Sequence, residues 1–357
     1  MDKTTRLLKD LTEASGVSGF EGPIRQIAKS YFEPLGALTA DRIGSLICEK
    51  VGSSDAPRVM LSGHLDEIGF MVRYITDQGF IKFQALGGWF DQVLLGQRVV
   101  IKTRKGDVTG VIGVKPPHLM TAEEGEKVIR KKEMYIDIGV TSKEELEATG
   151  VRVGDPIIPQ ASFEVLANGK SYLSKAFDDR VGVALMISVL EELQNEEHPN
   201  TVYAAATVME ETNLGGAHTS AEVVNPDVAI ILESGIAGDV PGVQPEENSV
   251  KLGGGPVVLF YDARMIPNTK LRDLVMDTAQ ELGIPTQTDL MPGGATDGGV
   301  IHLHRTGVPT IVIGVPSRHI HSHSSIIHRE DYDLTVKLLK EIIRKIDRNQ
   351  LENLVEI

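Results

Sequence analysis

Strand–helix alternation broken once, by a long run of hairpin-like sequence, constrains this chain most. Before the break, RVMLSGH (58–64) is a short apolar run ending in Ser-Gly, the mark of a buried strand reaching its end. After Gly69 come FMVRYITDQGFIKFQAL and RVVIKTRKGDVTGVIGV, short alternating segments split by Gly and Asp turns, which is the pattern of hairpins. TAEEGEKVIRKK reads as a helical patch among them, and MYIDIGV and DPIIPQ resume the strands. From Asp178 the alternation returns. DDRVGVALMISVLEELQ, GGAHTSAEVV and LRDLVMDTAQELG read as helices, TVYAAATVME, DVAIILE, VVLFYD and VPTIVIGV as strands, and 330–354 as one long terminal helix. Two helices precede it all. One covers 3–15 with Leu7, Leu8, Leu11 and Ala14 at helical spacing, and the other runs from Pro23 to about Phe32. A buried strand needs a sheet to join. The organisation is therefore one α/β layered domain with a largely parallel sheet, 1–68 plus 163–357, and a mostly β domain, 69–162, inserted into it.

Charge and cysteine usage exclude several functions. With 36 Lys plus Arg against 50 Asp plus Glu, the net charge of -14 suits neither nucleic acid nor an anionic membrane surface. The one cysteine, Cys48, rules out a disulfide framework or a Cys-rich zinc module and fits a reducing cytoplasm. The N-terminus is charged throughout, without the apolar core of a secretory signal, and no run of about 18 apolar residues could span a bilayer.

In open α/β sheets ligands sit beyond the carboxyl ends of the strands. At those ends this sequence delivers His64 and Asp66, Glu210 and Glu211, Glu233, and His319 and His321, while Asp178 and Asp179 open a helix. Singly, each has an ordinary reading: a surface pair, a solvated turn, a helix cap, a fortuitous His-rich loop. Jointly, two imidazoles and several carboxylates meet on one rim. Such acids repel one another unless a cation lies among them. Nitrogen with carboxylate oxygen suits zinc, cobalt or manganese better than calcium or magnesium. Two ions need one bridging carboxylate and two further ligands each, and His64, Asp178, Glu211, Glu233 and His321 supply that count, leaving Glu210 free as a base.

The chain resembles the M42 metallo-aminopeptidases, the glutamyl- and deblocking-aminopeptidase group. The matching pieces are SGHLDEIGFMV (62–72), ALGGWFDQVLLGQRVVI (85–101), KPPHL (115–119), KAFDDRVG (175–182), MEETNLGGA (209–217), AGDVPG (237–242), GGATDGG (293–299) and SRHIHSHSS (317–325). The resemblance implies a three-layer α/β/α dinuclear metallopeptidase domain with an inserted small β-barrel-like domain that mediates self-association, from a dimer up to a tetrahedral dodecamer. It implies that His64, Asp178 and Glu233 hold one metal and Asp178, Glu211 and His321 the other, with Asp178 bridging. Asp66 orients His64, Glu210 is the general base, and the Asp178–Asp179 peptide is cis. Three positions depart from the family pattern: Thr212–Asn213 replaces Val-Gly, Glu233 stands where many relatives have Asp, and His319 stands where a Tyr is usual.

The activity expected is removal of the N-terminal residue of a peptide by a metal-bridged hydroxide, with Glu210 carrying the proton. Two divalent ions per chain are expected, zinc first, with cobalt or manganese as alternatives. Asp297, in ATDGG, either lines the end that holds the substrate amino group or caps a helix. The competing readings are a dipeptidase or carboxypeptidase of the same metal chemistry, a glycosidase using paired acids without metal, and a scaffold that kept the fold.

Overall fold

The computed structural model describes residues 1–356. Four adjacent parallel strands form the middle of its large sheet, in the order Thr201–Thr207, Arg58–His64, Val228–Ile236 and Thr310–Arg318. Antiparallel pairings extend it on both sides, and beyond one of them Val257–Asp262 and Gln287–Met291 pair parallel again.

Alternate residues of the central strands enter different cores, because successive side chains point to opposite faces. Val59 and Leu61 pack into the core that also holds Val181, Leu185 and Leu338. Met60, between them, packs with Ala217, Ala221 and Ile231. Helices Lys3–Glu13, Phe177–Glu192 and Arg329–Lys345 serve the first core, and Gly215–Val224 the second. Both faces are therefore covered, which explains why these strands are apolar almost throughout. The architecture is three-layered, α/β/α.

Strands Gly69–Ile75, Ile81–Leu86, Tyr135–Asp137, Gly106–Gly113, Arg98–Thr103 and Pro156–Pro159 close into a barrel in that order. It has a core of its own around Phe70, Ile81, Val99, Ile112 and Ile157, with Trp89 stacked on Phe70 at 4.8 Å between ring centroids.

Three elements differ from the sequence reading. TAEEGEKVIRKK forms only one helical turn, Ala122–Gly125, and a 3-10 turn, Lys131–Glu133; neither buries a residue, so nothing stabilises a longer helix. The terminal helix is two helices, Arg329–Lys345 and Arg348–Val355; Asp347 ends the run by accepting the Gln350 amide at 2.7 Å as an N-cap. Asp178 and Asp179, read as opening a helix, do not have helical backbone, while the peptide between them is cis as the resemblance implies. The strand Gln287–Met291 went unread: QTDLM has no apolar run.

Candidate metal centre

The ends of the four parallel strands meet at one rim. His64 is the last residue of its strand and is 1% exposed. Glu210 and Glu211 follow the neighbouring strand after Met209, whose φ of 56° turns the chain sharply. Glu233 lies within its strand, opposite Gly314. His321 follows Arg318 and also has a left-handed backbone, with φ of 56°. Ala176, two residues before Asp178, is left-handed as well. Non-glycine residues in this region cost free energy, and their concentration here is characteristic of a functional site.

The Asp178 carboxylate faces both imidazoles, one oxygen to each. Oδ1 is 3.3 Å from His64 Nε2 and Oδ2 is 3.2 Å from His321 Nε2. His321 Nε2 is also 3.4 Å from Glu211 Oε2, and His64 Nε2 is 3.7 Å from Glu210 Oε2. Donor atoms of His64, Asp178 and Glu211 lie within 4.8 Å of one another, and so do those of His64, Glu210 and Glu233. The sequence-derived ligand set is thus brought together, with Glu210 beside Glu233 at the same imidazole.

Three observations test whether such groups suit a cation. Contacts of 3.2–3.7 Å exceed good hydrogen bonds. Those among the ligand candidates, 3.2–3.4 Å, are close to the spacing of about 3.3–3.6 Å between donors that share a tetrahedral ion about 2.0–2.2 Å away. Glu211 Oε1 is buried without any hydrogen-bond partner. Burial, with the neighbouring carboxylates, pushes Glu211 up to about 8 and holds Glu210 and Glu233 well above the ordinary range. These donors fit a cation, and by themselves they repel.

The remaining electrostatics follow the same geometry. Burial opposes charge on His64, yet Glu210, Asp178, Asp66 and Glu233 raise it well above the usual imidazole range. His321, likewise opposed by burial, is raised to about 10 by Asp178 and Glu211. Asp178 is pushed up by burial, but His321 and His64 outweigh that and hold it far below the carboxylate range.

Asp66 orients more than His64. Its backbone carbonyl meets His64 Nδ1 at 2.9 Å, and its carboxylate accepts the amides of Glu210 and Glu211 at 3.0 and 3.1 Å and the Ser18 hydroxyl. One buried acid therefore sets the imidazole and the adjacent acid pair together. Asp179 accepts the His64 amide at 3.0 Å and the Gly182 amide at 3.0 Å. Sequence reasoning gave it no role separate from that of Asp178, and two adjacent aspartates carry no signal that would. The barrel-side Gly87–Gly88 was missed too: a Cβ on Gly88 would stand 3.0 Å from His321 Nδ1, and one on Gly87 3.1 Å from Glu211 Oε2.

Asp297 occupies the N-cap position of Gly298–Ile301 without capping it. Its Oδ2 accepts the Ser62 and Thr207 hydroxyls at 2.8 and 2.7 Å. At 1% exposed it sits behind the wall of the cavity, contrary to the expectation that it lines the substrate end. His319 is exposed and off that wall, whereas Thr212 and Asn213 are on it. The cavity itself, roughly 690 Å³, opens directly over His64, Asp178, Glu210, Glu211, Glu233 and His321.

Residues 44–338 match the family model for M42 glutamyl aminopeptidase, and residues 2–27 match a short model described as AMPT. The chain is 46% identical to a TET aminopeptidase from a marine sediment archaeon of the Thaumarchaeota, with a TM-score of 0.97 and 99% of each chain covered. It is 34% identical to the glutamyl aminopeptidase of Lactococcus lactis subsp. cremoris (strain MG1363), over 96% of this chain and 97% of that one. The TET1 peptidase of Pyrococcus horikoshii, which can assemble into a tetrahedron or a large octahedral shell, is 33% identical, with a TM-score of 0.87, 96% of this chain and 100% of that chain covered. The chain belongs to the M42 glutamyl aminopeptidase family of peptide-bond hydrolases.

Proposed function

We propose that this chain is a two-metal aminopeptidase in which Glu210 carries the proton. The observation that supports it most is the Asp178 carboxylate facing His64 and His321 through separate oxygens, with Glu211, Glu210 and Glu233 around it. His64, Asp178 and Glu233 would hold one divalent ion, and Asp178, Glu211 and His321 the second; nitrogen and carboxylate donors put zinc first, then cobalt or manganese. Ions held there supply Lewis acidity, bringing the pKa of a water toward 7 and polarising the scissile carbonyl.

The chain's own groups do the rest. Glu210, next to His64 and held in place by its amide on Asp66, takes the proton of the attacking water and returns it to the leaving amine. Asp66 and Asp179 keep His64 oriented. The carboxylates at the rim attract the substrate's α-ammonium.

A panel of aminoacyl-p-nitroanilides, assayed on chelated enzyme reconstituted with zinc, cobalt or manganese, tests this reading. Activity should vanish on chelation, return with metal, and leave an N-acetylated peptide uncut. Cleavage of the blocked peptide would mean a carboxypeptidase, and activity that survives exhaustive chelation would mean a metal-independent hydrolase.

We further infer that 1–68 with 163–357 is the catalytic domain and 69–162 an inserted self-association domain. Exposed Phe90 and Leu119, at 60% and 69%, are apolar surface available for a second copy. Light scattering on purified protein, with and without Phe90→Asp, measures this. Among the described residues no helix is long and apolar enough to cross a membrane. With the buried, unpaired thiol of Cys48, that supports a cytoplasmic location, which fractionation would check.

A further inference from the structure

The cavity extends away from the acid cluster along one face of the sheet. Glu233 pairs with Gly314, Gly314 with Val257, and Val257 with Gln287. Two residues along, Val312 pairs with Leu259 and Leu259 with Asp289. Residues two apart in a strand share a face. Glu233, Val257, Leu259, Val312 and Asp289 therefore form one floor, and all five line the cavity. Strand spacing and rise separate the Cα atoms of Glu233 and Asp289 by about 16 Å. The surface between them is apolar.

Asp289 ends this floor as a desolvated acid without a counter-charge. It is 8% exposed, and its Oδ1 accepts the amide of Leu290 at 2.8 Å. Burial pushes its carboxyl up, and that amide alone opposes the rise. Arg264 also lines the cavity, but it is exposed. Water screens an exposed charge far more than a buried one, so the acid dominates selection at this end.

We propose that Asp289 is a specificity-determining residue, selecting peptides whose N-terminal residue is lysine or arginine. This rests on the aminopeptidase reading above and adds the substrate class. Both side chains have an apolar stem and a cationic head, and such a side chain lays its methylenes along apolar surface while its head seeks polar company. Here the stem meets Val257, Leu259 and Val312, and the head meets Asp289. A charge-assisted hydrogen bond formed away from water is among the stronger polar contacts.

The test compares lysyl and norleucyl p-nitroanilides on the metal-loaded enzyme, since the two differ chiefly in the ammonium group. The ratio of their kcat/KM values should be at least about tenfold in favour of lysine, the size of one hydrogen bond to a charged group. Asp289→Asn should bring the ratio close to one, and Asp289→Lys should turn preference toward the glutamyl substrate. Because each ratio is read within one preparation, a misfolded fraction cancels. A wild-type ratio near one, or a ratio that Asp289→Asn leaves intact, overturns the assignment. A wild-type preference for glutamyl substrate also overturns it and gives the pocket to Arg264. Failure to cleave any aminoacyl substrate overturns the aminopeptidase reading itself, a result separable from an altered ratio.

Discussion

Two lysine–carboxylate pairs in this molecule have the same length and very different surroundings. Lys175 Nζ lies 2.6 Å from Glu67 in the α/β layer, with side chains 4% and 2% exposed. Lys102 Nζ lies 2.6 Å from Asp107 in the barrel, with side chains 33% and 60% exposed. The buried pair is part of a cluster: Glu67 also takes Arg180 at 3.0 Å, and burial brings Lys175 down to about 8. The contrast extends to whole regions. Of the 36 basic and 50 acidic residues, 69–162 holds 13 and 12, leaving 23 and 38 for the rest. The barrel is nearly neutral and wears its charges in water. The α/β layer carries the acidity and buries part of it around the rim of the central strands. Distance alone therefore says little about what a charged pair does; desolvation decides.

The largest effect should come at the rim. Glu210→Gln keeps shape and removes the base, so kcat should fall by about 10²–10⁴ with metal content unchanged by elemental analysis. Near-normal turnover with both ions bound would remove Glu210 from proton transfer. Next comes the buried pair. Glu67→Gln leaves Lys175 and Arg180 as uncompensated buried cations, and urea unfolding should show a loss of about 3–5 kcal/mol. A loss below about 1 kcal/mol would mean that the cluster relaxes into water and that the two regions do not differ as described.

A smaller, pH-dependent effect separates the regions again. In chelated protein, Glu211 keeps its proton up to about 8, whereas an unfolded glutamate releases it near about 4.3. The folded state then binds more protons across that interval, so stability falls as pH rises. His321, raised to about 10, acts in the same direction above about 6.5, and Asp178 titrates below the window. Chelated enzyme should therefore lose a few kcal/mol between about pH 5 and 8. Hydrogen exchange should place the loosening at the ends of the central strands, with the barrel still protected. Flat stability over this range contradicts close packing of the acids.

The same contrast explains what the sequence made legible. Buried parallel strands are apolar runs, so His64 at the end of one, or Glu233 inside another, stands out. Barrel strands alternate, so the hairpins were readable, but closure was not. It depends on Phe70 meeting Ile157 and Val99 meeting Pro159 across long stretches of chain. Gln287–Met291 carries neither signal, and Asp289 was missed with it. For Asp297, ATDGG left open a place at the substrate end or a helix cap. Only the fold shows Ser62 and Thr207 drawing it beneath the cavity.

Asp107→Asn is the control that makes the comparison breakable. Lys102 and Asp107 face each other directly across the hairpin of Arg98–Thr103 and Gly106–Gly113. Cross-strand opposite charges of this kind contribute about 0.2–1 kcal/mol. Asparagine keeps the volume and one carbonyl oxygen, so Lys102 retains a partner or turns to water. The cost in urea unfolding should stay under about 1 kcal/mol and shrink further in high salt, because an exposed pair is screened. The cost of Glu67→Gln, sealed from ions, should not move with salt. If both substitutions cost the same and respond alike to salt, burial is not what separates the two pairs, and the acid cluster at the rim loses the desolvation on which its strength depends.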